Sequence, residues 1–426
     1  MALLRIAFRN LLRAKRRNIL SGGTMVLGSA ALVLGSGLSD GIARQLTASL
    51  VATQTGHIQV VVRPNDFQPQ NSPFDVYGQD FFLGAEDLAR SLETGSAALG
   101  VDVVKAVPYV YARGTAMAGS RSTLASIIGV DPEREPELQR SLPPASGRFL
   151  PAGDLTAVYI AAPMARKLRL ATGDAVSFVV QTPEGALNSL DMIVCGVFKK
   201  AAPWFDGAFY VSLPAAQSLF DQPGGATNLK ILLRDGGMRS AHRTQPILAR
   251  LVAEAAPRKL AKGTALQVES FDKAGRFAFA IIQANETALF ILSCFLFSAS
   301  AVGIVNAMLM SVHSRTREIG TMRAVGMRRR GVVRLFILEG VVLGVLAAAS
   351  GLLVGGSLVL YYSARGIAMN TFTLAWMAGG DRLFPVLEPA SAAQAVVAIV
   401  AVSALAAVYP AYAASRLEPR EALHHV

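Results

Sequence analysis

Residues 18–39 read NILSGGTMVLGSAALVLGSGLS and contain no charged side chain. A helix needs roughly 20 apolar residues to cross a hydrocarbon core about 30 Å thick, so this stretch is long enough to span a membrane. Its uncharged run is longer than that of a usual signal peptide, and no convincing small-residue cleavage site follows it. The stretch therefore predicts an uncleaved membrane span.

The composition of the whole chain agrees with a membrane protein. Of its 426 residues, 52% are hydrophobic and 16% are charged, which is too apolar for an ordinary soluble enzyme. The net charge of +12 would suit nucleic acid, an anionic membrane surface or the cytoplasmic loops of a membrane protein. Cys294 lies inside an apolar run, so we expect no disulfide between it and Cys195.

Three further apolar stretches predict spans, and the four spans divide the chain. We predict an N-terminal cytoplasmic helix (1–17), a first span (18–40), an extracytoplasmic domain (41–279), a second span with its stalk (280–312), a cytoplasmic coupling loop (313–333), a third span (334–364), an extracytoplasmic loop (365–388), a fourth span (389–415) and a cytoplasmic tail (416–426). The predicted fold is an α-helical membrane protein with four transmembrane helices and a large mixed α/β extracytoplasmic domain.

The large domain carries short β-prone runs between Gly, Pro and Asp turns, together with a few helical patterns. The strand candidates are His57–Val62, Val103–Val107, Ser126–Val130, Ala157–Ile160, Ala175–Val180, Met192–Val194 and Phe209–Val211. The helix candidates are Ala85–Leu92, Pro163–Leu170 and His242–Ala255, and Phe271–Gln283 is predicted to continue as a helix into the second span. The domain could be one lobe or two.

The positions of the basic residues predict the orientation. Arg9, Arg13, Arg16 and Arg17 precede the first span, and no acidic residue does. The loop between the second and third spans is also rich in arginine, and an even number of spans puts it on the same side. Cytoplasmic loops of membrane proteins carry such an excess, so we expect both termini in the cytoplasm. This topology explains most of the basic excess, and we expect no nucleic-acid partner.

The sequence lacks the motifs of several enzyme classes. No Gly-x-x-x-x-Gly-Lys-Ser/Thr loop occurs, so we expect no ATP hydrolysis by this chain, and no histidine spacing or Gly-x-Ser-x-Gly motif indicates metal or serine catalysis. For His424 and His425, a solvated terminus is favoured over metal binding. Glu339 lies in the third span, where interface pairing with Arg334 or Arg330 is favoured over a proton relay.

The segment from 311 to 340 reads SVHSRTREIGTMRAVGMRRRGVVRLFILEG. It resembles the signature of the FtsX-like permease family, which has the form Arg-Thr-Arg-Glu-Ile-Gly-x-x-Arg-Ala-x-Gly (here 315–326) followed by a Glu that opens the third span (Glu339). The segments AFRNLLR (7–13) and YPAYAASRLEPREAL (409–423) are similar to that family as well. In the large domain, 162–168, 173–174 and 194–198 resemble the periplasmic core of macrolide-exporter and lipoprotein-releasing permeases. Residues 55–60, TGHIQV, resemble the lipoprotein-releasing branch.

The resemblance implies that an ATPase docks on a short cytoplasmic helix after the second span. The residues assigned to coupling are Arg315, Arg317, Glu318, Ile319, Gly320, Met322, Arg323 and Gly326. On a helix, Ile319, Met322 and Gly326 would form an apolar strip for a groove in the partner. The alternative is that the arginines only contact lipid phosphates. Arg9, Arg13, Arg16, Arg17, Arg334 and Glu339 are assigned to the membrane interface.

The resemblance also implies partners and a location. Two permeases, either two copies of this chain or this chain and a related one, would join two ATPase subunits in a bacterial inner membrane. ATP and Mg would be bound by the ATPase, with no cofactor or metal on this chain, which begins at the membrane and so departs from exporters with a fused ATPase. The predicted function is extraction of lipoprotein or another lipid-anchored cargo from the inner membrane, with a lipoprotein carrier as a partner. The alternatives are export of a drug or peptide through an adaptor and outer-membrane tunnel, and regulation of an extracytoplasmic enzyme without transport.

Overall fold

The computed structural model describes residues 15–64, 80–199, 205, 207–255, 260 and 264–417. The chain divides into two compact units, a helical unit (Met1–Ile42, Ile282–Ile367 and Leu383–Val426) and a sheet unit (Ala43–Ile281 and Ala368–Arg382). Arg9 and Arg13, most of the predicted N-terminal cytoplasmic helix and most of the predicted tail lie outside the described residues.

The described helices and strands follow one another in this order. They are α1 (Lys15–Leu50), a π-helical turn (Val51–Thr55), β1 (Ile58–Pro64), β2 (Phe82–Leu83), α2 (Ala85–Ala98), β3 (Val103–Ala118), β4 (Arg121–Val130), α3 (Pro136–Ser141), β5 (Pro144–Gly147), β6 (Ala157–Ala161), α4 (Ala162–Leu168), β7 (Ala175–Gln181), β8 (Leu187–Phe198), β9 (Ala208–Ser212), α5 (Leu213–Leu219), β10 (Gly225–Ala226), β11 (Asn228–Leu233), α6 (Met238–Ala255), β12 (Thr264–Ser270), α7 (Phe271–Ala274), α8 (Arg276–Ser314), α9 (Thr316–Ala324), α10 (Arg329–Arg365), β13 (Ile367–Ala368), α11 (Phe372–Ala378), β14 (Arg382–Leu383), α12 (Pro389–Ala406) and α13 (Val408–Ser415).

Within the described ranges, four helical stretches are long and apolar enough to cross a membrane: Gly23–Thr55, Arg276–Ser314, Arg329–Arg365 and Pro389–Ser415. Each contains one of the four predicted spans or most of it. Their side chains form an apolar cluster around Met25, Ile304, Met308, Phe336 and Ala407. Burial of these side chains against one another holds the helical unit together.

Glycines on α10 let α1 approach its backbone closely. A Cβ on Gly351 would lie 2.1 Å from Ser29 Oγ, and a Cβ on Gly355 would lie 2.6 Å from the carbonyl oxygen of Ala30. Small residues at such positions are typical of helix contacts in membranes, because there is little hydrophobic force to drive helices together in lipid. The contact between α1 and α10 therefore depends on these glycines.

The sheet unit is built on a ten-stranded sheet within the described part of the chain. Its order is β12-β1-β11-β3-β4-β9-β6-β8-β5, and β7 pairs with both β3 and β8. Strand β3 is long enough to pair with β11 through its first half and with β4 through its second half. The β4–β9 and β6–β8 pairs are parallel, while the other pairs of this sheet are antiparallel.

Three apolar clusters form the core of the sheet unit. Helices α2 and α6 cover one face of β1 and β11, with Leu88, Leu92 and Leu248 fully buried. Helices α4 and α5 pack on the central strands around Phe178 and Phe209. A third cluster is aromatic and contains Tyr159, Phe198, Phe205 and Tyr210. One continuous sheet joins the clusters, so the predicted alternative of two lobes corresponds to separate cores on a shared sheet.

The strand and helix candidates of the large domain are confirmed, with longer bounds for most of them. Two details differ. Helix α1 runs ten residues past residue 40, the predicted end of the first span, because helical hydrogen bonding continues through polar residues such as Arg44 and Gln45. The predicted helix from Phe271 into the second span is interrupted at Gly275, which lies between α7 and α8.

Candidate functional site

The segment between α8 and α10 forms the separate short helix α9. Arg315 has φ −121° and interrupts the helical path after α8, and α9 then begins at Thr316. Its end is set by Gly326, whose φ of +105° is a conformation that side chains rarely adopt. Arg328 is extended, and α10 starts at Arg329. The sequence therefore builds a nine-residue helix with a defined start and stop.

One face of α9 packs into the helical unit. Ile319 is fully buried in the same cluster as Val312, Val332 and Phe336, and Met322 packs against that cluster. Gly320 is buried as well. Of the predicted apolar strip, Ile319 is buried within its own chain, Met322 is half-buried and Gly326 is exposed, and the docking of an ATPase on this strip stays a prediction. Ile319 and Met322 anchor α9 to its own chain, because that is where they bury the most apolar surface.

The opposite face of α9 is open to solvent. Arg317, Glu318, Thr321 and Ala324 are exposed, and Val325, which caps the helix, keeps 90% of its surface accessible. Positions 317, 321 and 324 follow three- and four-residue spacing, so they share one side of the helix. We define Arg317, Glu318, Thr321, Ala324 and Val325 as the outer face of α9. Gly326 is exposed beside it.

Arg315, at the start of α9, contacts two carboxylates. Its Nε lies 3.0 Å from Glu318 Oε2, and its Nη1 lies 3.5 Å from Glu339 Oε2. The Glu339 side chain is only 7% exposed, so this contact partly compensates a buried carboxylate. The predicted pairing of Glu339 with Arg334 or Arg330 is corrected to Arg315. Arg334 is exposed and lies five residues from Glu339, about 140° around the helix.

The remaining predicted residues lie in different environments. Arg323 is half-buried and donates a hydrogen bond to the carbonyl of Leu417, so α9 is tied to the end of the chain segment that follows α13. Arg328, Arg329 and Arg330 are exposed. Arg16 and Arg17 belong to the first turn of α1, and their side chains are outside the described set.

The geometry brings some coupling candidates together and separates others. Arg317, Glu318 and Gly326 are on the accessible side, whereas Ile319, Gly320 and Met322 face the bundle and Arg315 and Arg323 hold α9 in place. The sequence prediction missed Thr321, Ala324 and Val325. The helical spacing from Arg317 could have indicated the first two, while the exposure of Val325 depends on where the helix stops.

Two family models match the chain. The "MacB-like periplasmic core domain" matches residues 19–245, more than half of the chain, and the "FtsX-like permease C-terminal" matches residues 290–419. The second match contains α9, α10, α12, α13 and residues 290–314 of α8. Together the two matches include parts of both units.

Similar proteins agree with these family matches. An uncharacterized ABC transporter permease of Bacillus subtilis, YvrN, is 23% identical over 374 residues, which are 83% of this chain and 85% of YvrN. The pyoverdine export ATP-binding/permease protein PvdT of Pseudomonas fluorescens is 42% identical over 92 residues, 19% of this chain and 14% of PvdT. The macrolide export ATP-binding/permease protein MacB of Syntrophobacter fumaroxidans is 38% identical over 125 residues, 29% of this chain and 15% of MacB.

The pyoverdine exporters are matched over a small part of their length, 14% in one case and 10% in another. The match to the MacB-like periplasmic core domain over more than half of the chain, together with the FtsX-like match, is what assigns the chain. The chain belongs to the FtsX-like ABC transporter permeases with a MacB-like periplasmic core domain, and it is a membrane-embedded permease.

Proposed function

We propose that this permease couples ATP hydrolysis by a separate ATPase subunit to movement of its periplasmic core domain. The observation that carries the proposal is the two-sided environment of α9: Ile319 is fully buried in the helical unit, and the outer face is exposed. A docked ATPase would push the outer face, and the anchored side would pass the displacement to the membrane helices. No polar channel is needed for this mechanism.

The chemistry of the outer face suits a protein partner. Val325 offers an apolar contact that is 90% exposed, and Arg317 and Glu318, on the same outer face, are exposed and carry opposite charges. A buried apolar centre with a polar rim is the usual arrangement of a protein interface. The arginines that follow, Arg328 to Arg330, remain assigned to the positive-inside bias and to lipid phosphates.

The proposed assembly contains two permeases and two ATPase subunits, in which the second permease is another copy of this chain or a related one. We propose that both termini and α9 lie in the cytoplasm and the sheet unit in the periplasm of a bacterial inner membrane. The basic flanks of the first span and of α9 support this orientation. ATP and Mg belong to the ATPase subunits, and this chain is the non-catalytic partner.

For the cargo, we propose export of a small substrate through an adaptor and outer-membrane tunnel. The printed activities of the relatives, macrolide export and pyoverdine export, favour this class. Extraction of lipoprotein or another lipid-anchored cargo is the second candidate, and it is supported by the resemblance of residues 55–60 to the lipoprotein-releasing branch.

Co-expression with the candidate ATPase tests the coupling. We expect Arg317→Glu and Val325→Glu to reduce recovery of the complex and its ATPase activity in proteoliposomes by about tenfold, equivalent to about 1.4 kcal/mol of docking energy. Arg250→Glu is the matched control, because Arg250 is an exposed arginine on α6 of the sheet unit, and it should change neither. Normal activity of both outer-face variants would contradict the proposal.

The cargo classes are separated with two probes. ATP-dependent release of a lipoprotein anchored in the outer leaflet of the proteoliposomes would favour extraction. Protection of cells against a macrolide, present only when the permease, its ATPase, an adaptor and a tunnel are produced together, would favour export. A complex that hydrolyses ATP but fails both assays would exclude these two cargoes and favour regulation of an extracytoplasmic enzyme.

A further inference from the structure

The turn that follows α1 contacts strand β11 of the sheet. After Leu50 the chain makes the π-helical turn Val51–Thr55, in which Thr53, Gln54 and Thr55 are buried. Gly56 follows with φ +63°, and a Cβ there would lie 2.6 Å from the carbonyl oxygen of Ile231 and 2.7 Å from Lys230 Cγ. Only glycine permits this approach, so the helix end and β11 are in close contact.

Lys230 holds this contact from within the sheet. Its side chain is 1% exposed, and its Nζ lies 2.6 Å from Glu135 Oε2 and 3.4 Å from the carbonyl oxygen of Ala52 in the π-helical turn. The ammonium also lies 5.1 Å from the ring centroid of Tyr109 on β3. Because a buried ammonium has a high desolvation penalty, these partners are needed to keep the charge in place.

Glu135 brings a third segment to the same point. Its side chain is 2% exposed, it directly precedes α3, and α3 lies against the π-helical turn. One ammonium group therefore connects the end of α1, strand β11 and the start of α3. These segments are far apart in sequence, so side-chain contacts of this kind set their relative position.

The surroundings of the pair are polar. Four buried polar atoms have no hydrogen-bond partner among the described residues: Gln54 Nε2, Gln54 Oε1, Glu135 Oε1 and the Tyr210 hydroxyl oxygen. The second buried pair of the unit differs: Arg63 Nε lies 3.4 Å from Glu269 Oε1, Gln59 donates to Glu269 Oε2 at 3.0 Å, and the pair lies across the neighbouring strands β1 and β12. It therefore provides a control of similar burial.

Buried ion pairs are often no more stabilising than apolar side chains of the same size, and their best-attested use is to fix the register of one element on another. We propose that Lys230 and Glu135 are positioning residues that hold the end of α1 on the sheet and pass its displacement into the periplasmic core domain. The inference rests on the proposed coupling function. It adds the point at which motion leaves the membrane helix.

Hydrogen–deuterium exchange of the full permease–ATPase complex in lipid nanodiscs tests this inference. In the wild type, ATP should change the exchange of α1 and of β11. In the double variant Lys230→Met/Glu135→Leu, the change in α1 should remain and the change in β11 should be lost. The control double variant Arg63→Met/Glu269→Leu should keep both. If the variant Lys230→Met/Glu135→Leu does not fold, as judged by thermal unfolding, the variant Lys230→Gln/Glu135→Gln replaces it. This second variant is uncharged at both positions, and its two side chains can still form a hydrogen bond.

The outcomes separate the inference from the function on which it rests. An ATP-dependent change in β11 that survives removal of the pair, or a wild type in which α1 responds and β11 does not, would overturn the inference alone. A wild type in which neither element responds to ATP would contradict the coupling function and overturn the inference with it.

Discussion

Ile319 and Val325 lie six positions apart at the short helix α9 and have opposite surroundings. Ile319 is fully buried and Val325 is 90% exposed. We expect Ile319→Asp to destabilise the permease by about 3 kcal/mol or more, because it removes core packing and buries a carboxylate. Val325→Asp should change stability by less than about 0.5 kcal/mol. Thermal unfolding in detergent measures both, and equal midpoints would contradict the packing of α9.

Glu339 is a buried carboxylate whose Oε2 lies 3.5 Å from Arg315 Nη1. Replacing Arg315 with Met leaves Glu339 buried without this cation and should cost about 3 kcal/mol. The double variant Arg315→Met/Glu339→Leu should recover most of that loss. Arg334→Ala should have little effect, because Arg334 is exposed. The same unfolding measurement decides: a large effect of Arg334→Ala with none for Arg315→Met would restore the pairing predicted from sequence.

These two cases show what the sequence could predict about the site. The resemblance to the FtsX-like permeases implied a short helix between the second and third spans, and α9 lies there. The sequence could not assign which face is buried, because Ile319 and Val325 are both apolar and only the position of the neighbouring helices distinguishes them. For the same reason it paired Glu339 with an arginine close in sequence, whereas Arg315 lies 24 positions away.

At the scale of elements, the contact between α1 and α10 offers a matched pair of glycines. A side chain at Gly355 would meet the Ala30 backbone, while a Cβ on the neighbouring Gly356 has its nearest atom, Leu387 Cδ2, 3.8 Å away. Gly355→Val should therefore cost about 2 kcal/mol through overpacking. Gly356→Ala should be tolerated. Thermal unfolding of the two variants compares them, and equal tolerance would contradict the close approach of α1 and α10.

The contact between His242 on α6 and Asp272 on α7 predicts that the thermal stability depends on pH. Burial alone would raise the pKa of Asp272, but hydrogen bonds from Ser270 and His242 outweigh it and lower that pKa below its ordinary value. The stabilisation of the folded protein by the Asp272 carboxylate is therefore fully present above the pKa that Asp272 has in the unfolded chain. It is lost as the pH falls through the lower pKa of Asp272 in the folded protein, below about pH 4. Asp272→Asn should reduce the loss of thermal stability between about pH 6 and pH 3. A loss as large as that of the wild type would contradict the assignment.

Elements were predicted well where the pattern is local and less well where it depends on packing. The spans and the strands Ala157–Ala161 and Ala175–Gln181 follow from apolar runs and turn residues. Strand β11 was missed because Asn228 and Lys230 interrupt its apolar pattern, although both are buried in the sheet. The extension of α1 to Leu50 was missed because Arg44 and Gln45 end the apolar run.

At the scale of the whole molecule, two continuous helices connect the helical unit with the sheet unit. Helix α1 leads into β1 through the π-helical turn, and α8 follows α7 across Gly275. The proposed coupling of α9 to the periplasmic core domain would use this continuity of the backbone.

Photo-crosslinking from the outer face of α9 tests whether the ATPase docks there. A photoreactive amino acid at Val325 should give an adduct with the ATPase in membranes from co-expressing cells, and the adduct should change in yield when ATP is added. The same group at Met310, which is 65% exposed on the membrane helix α8, should give none. An ATPase adduct from Met310, or none from Val325 in cells where the two proteins co-purify, would contradict docking on the outer face of α9.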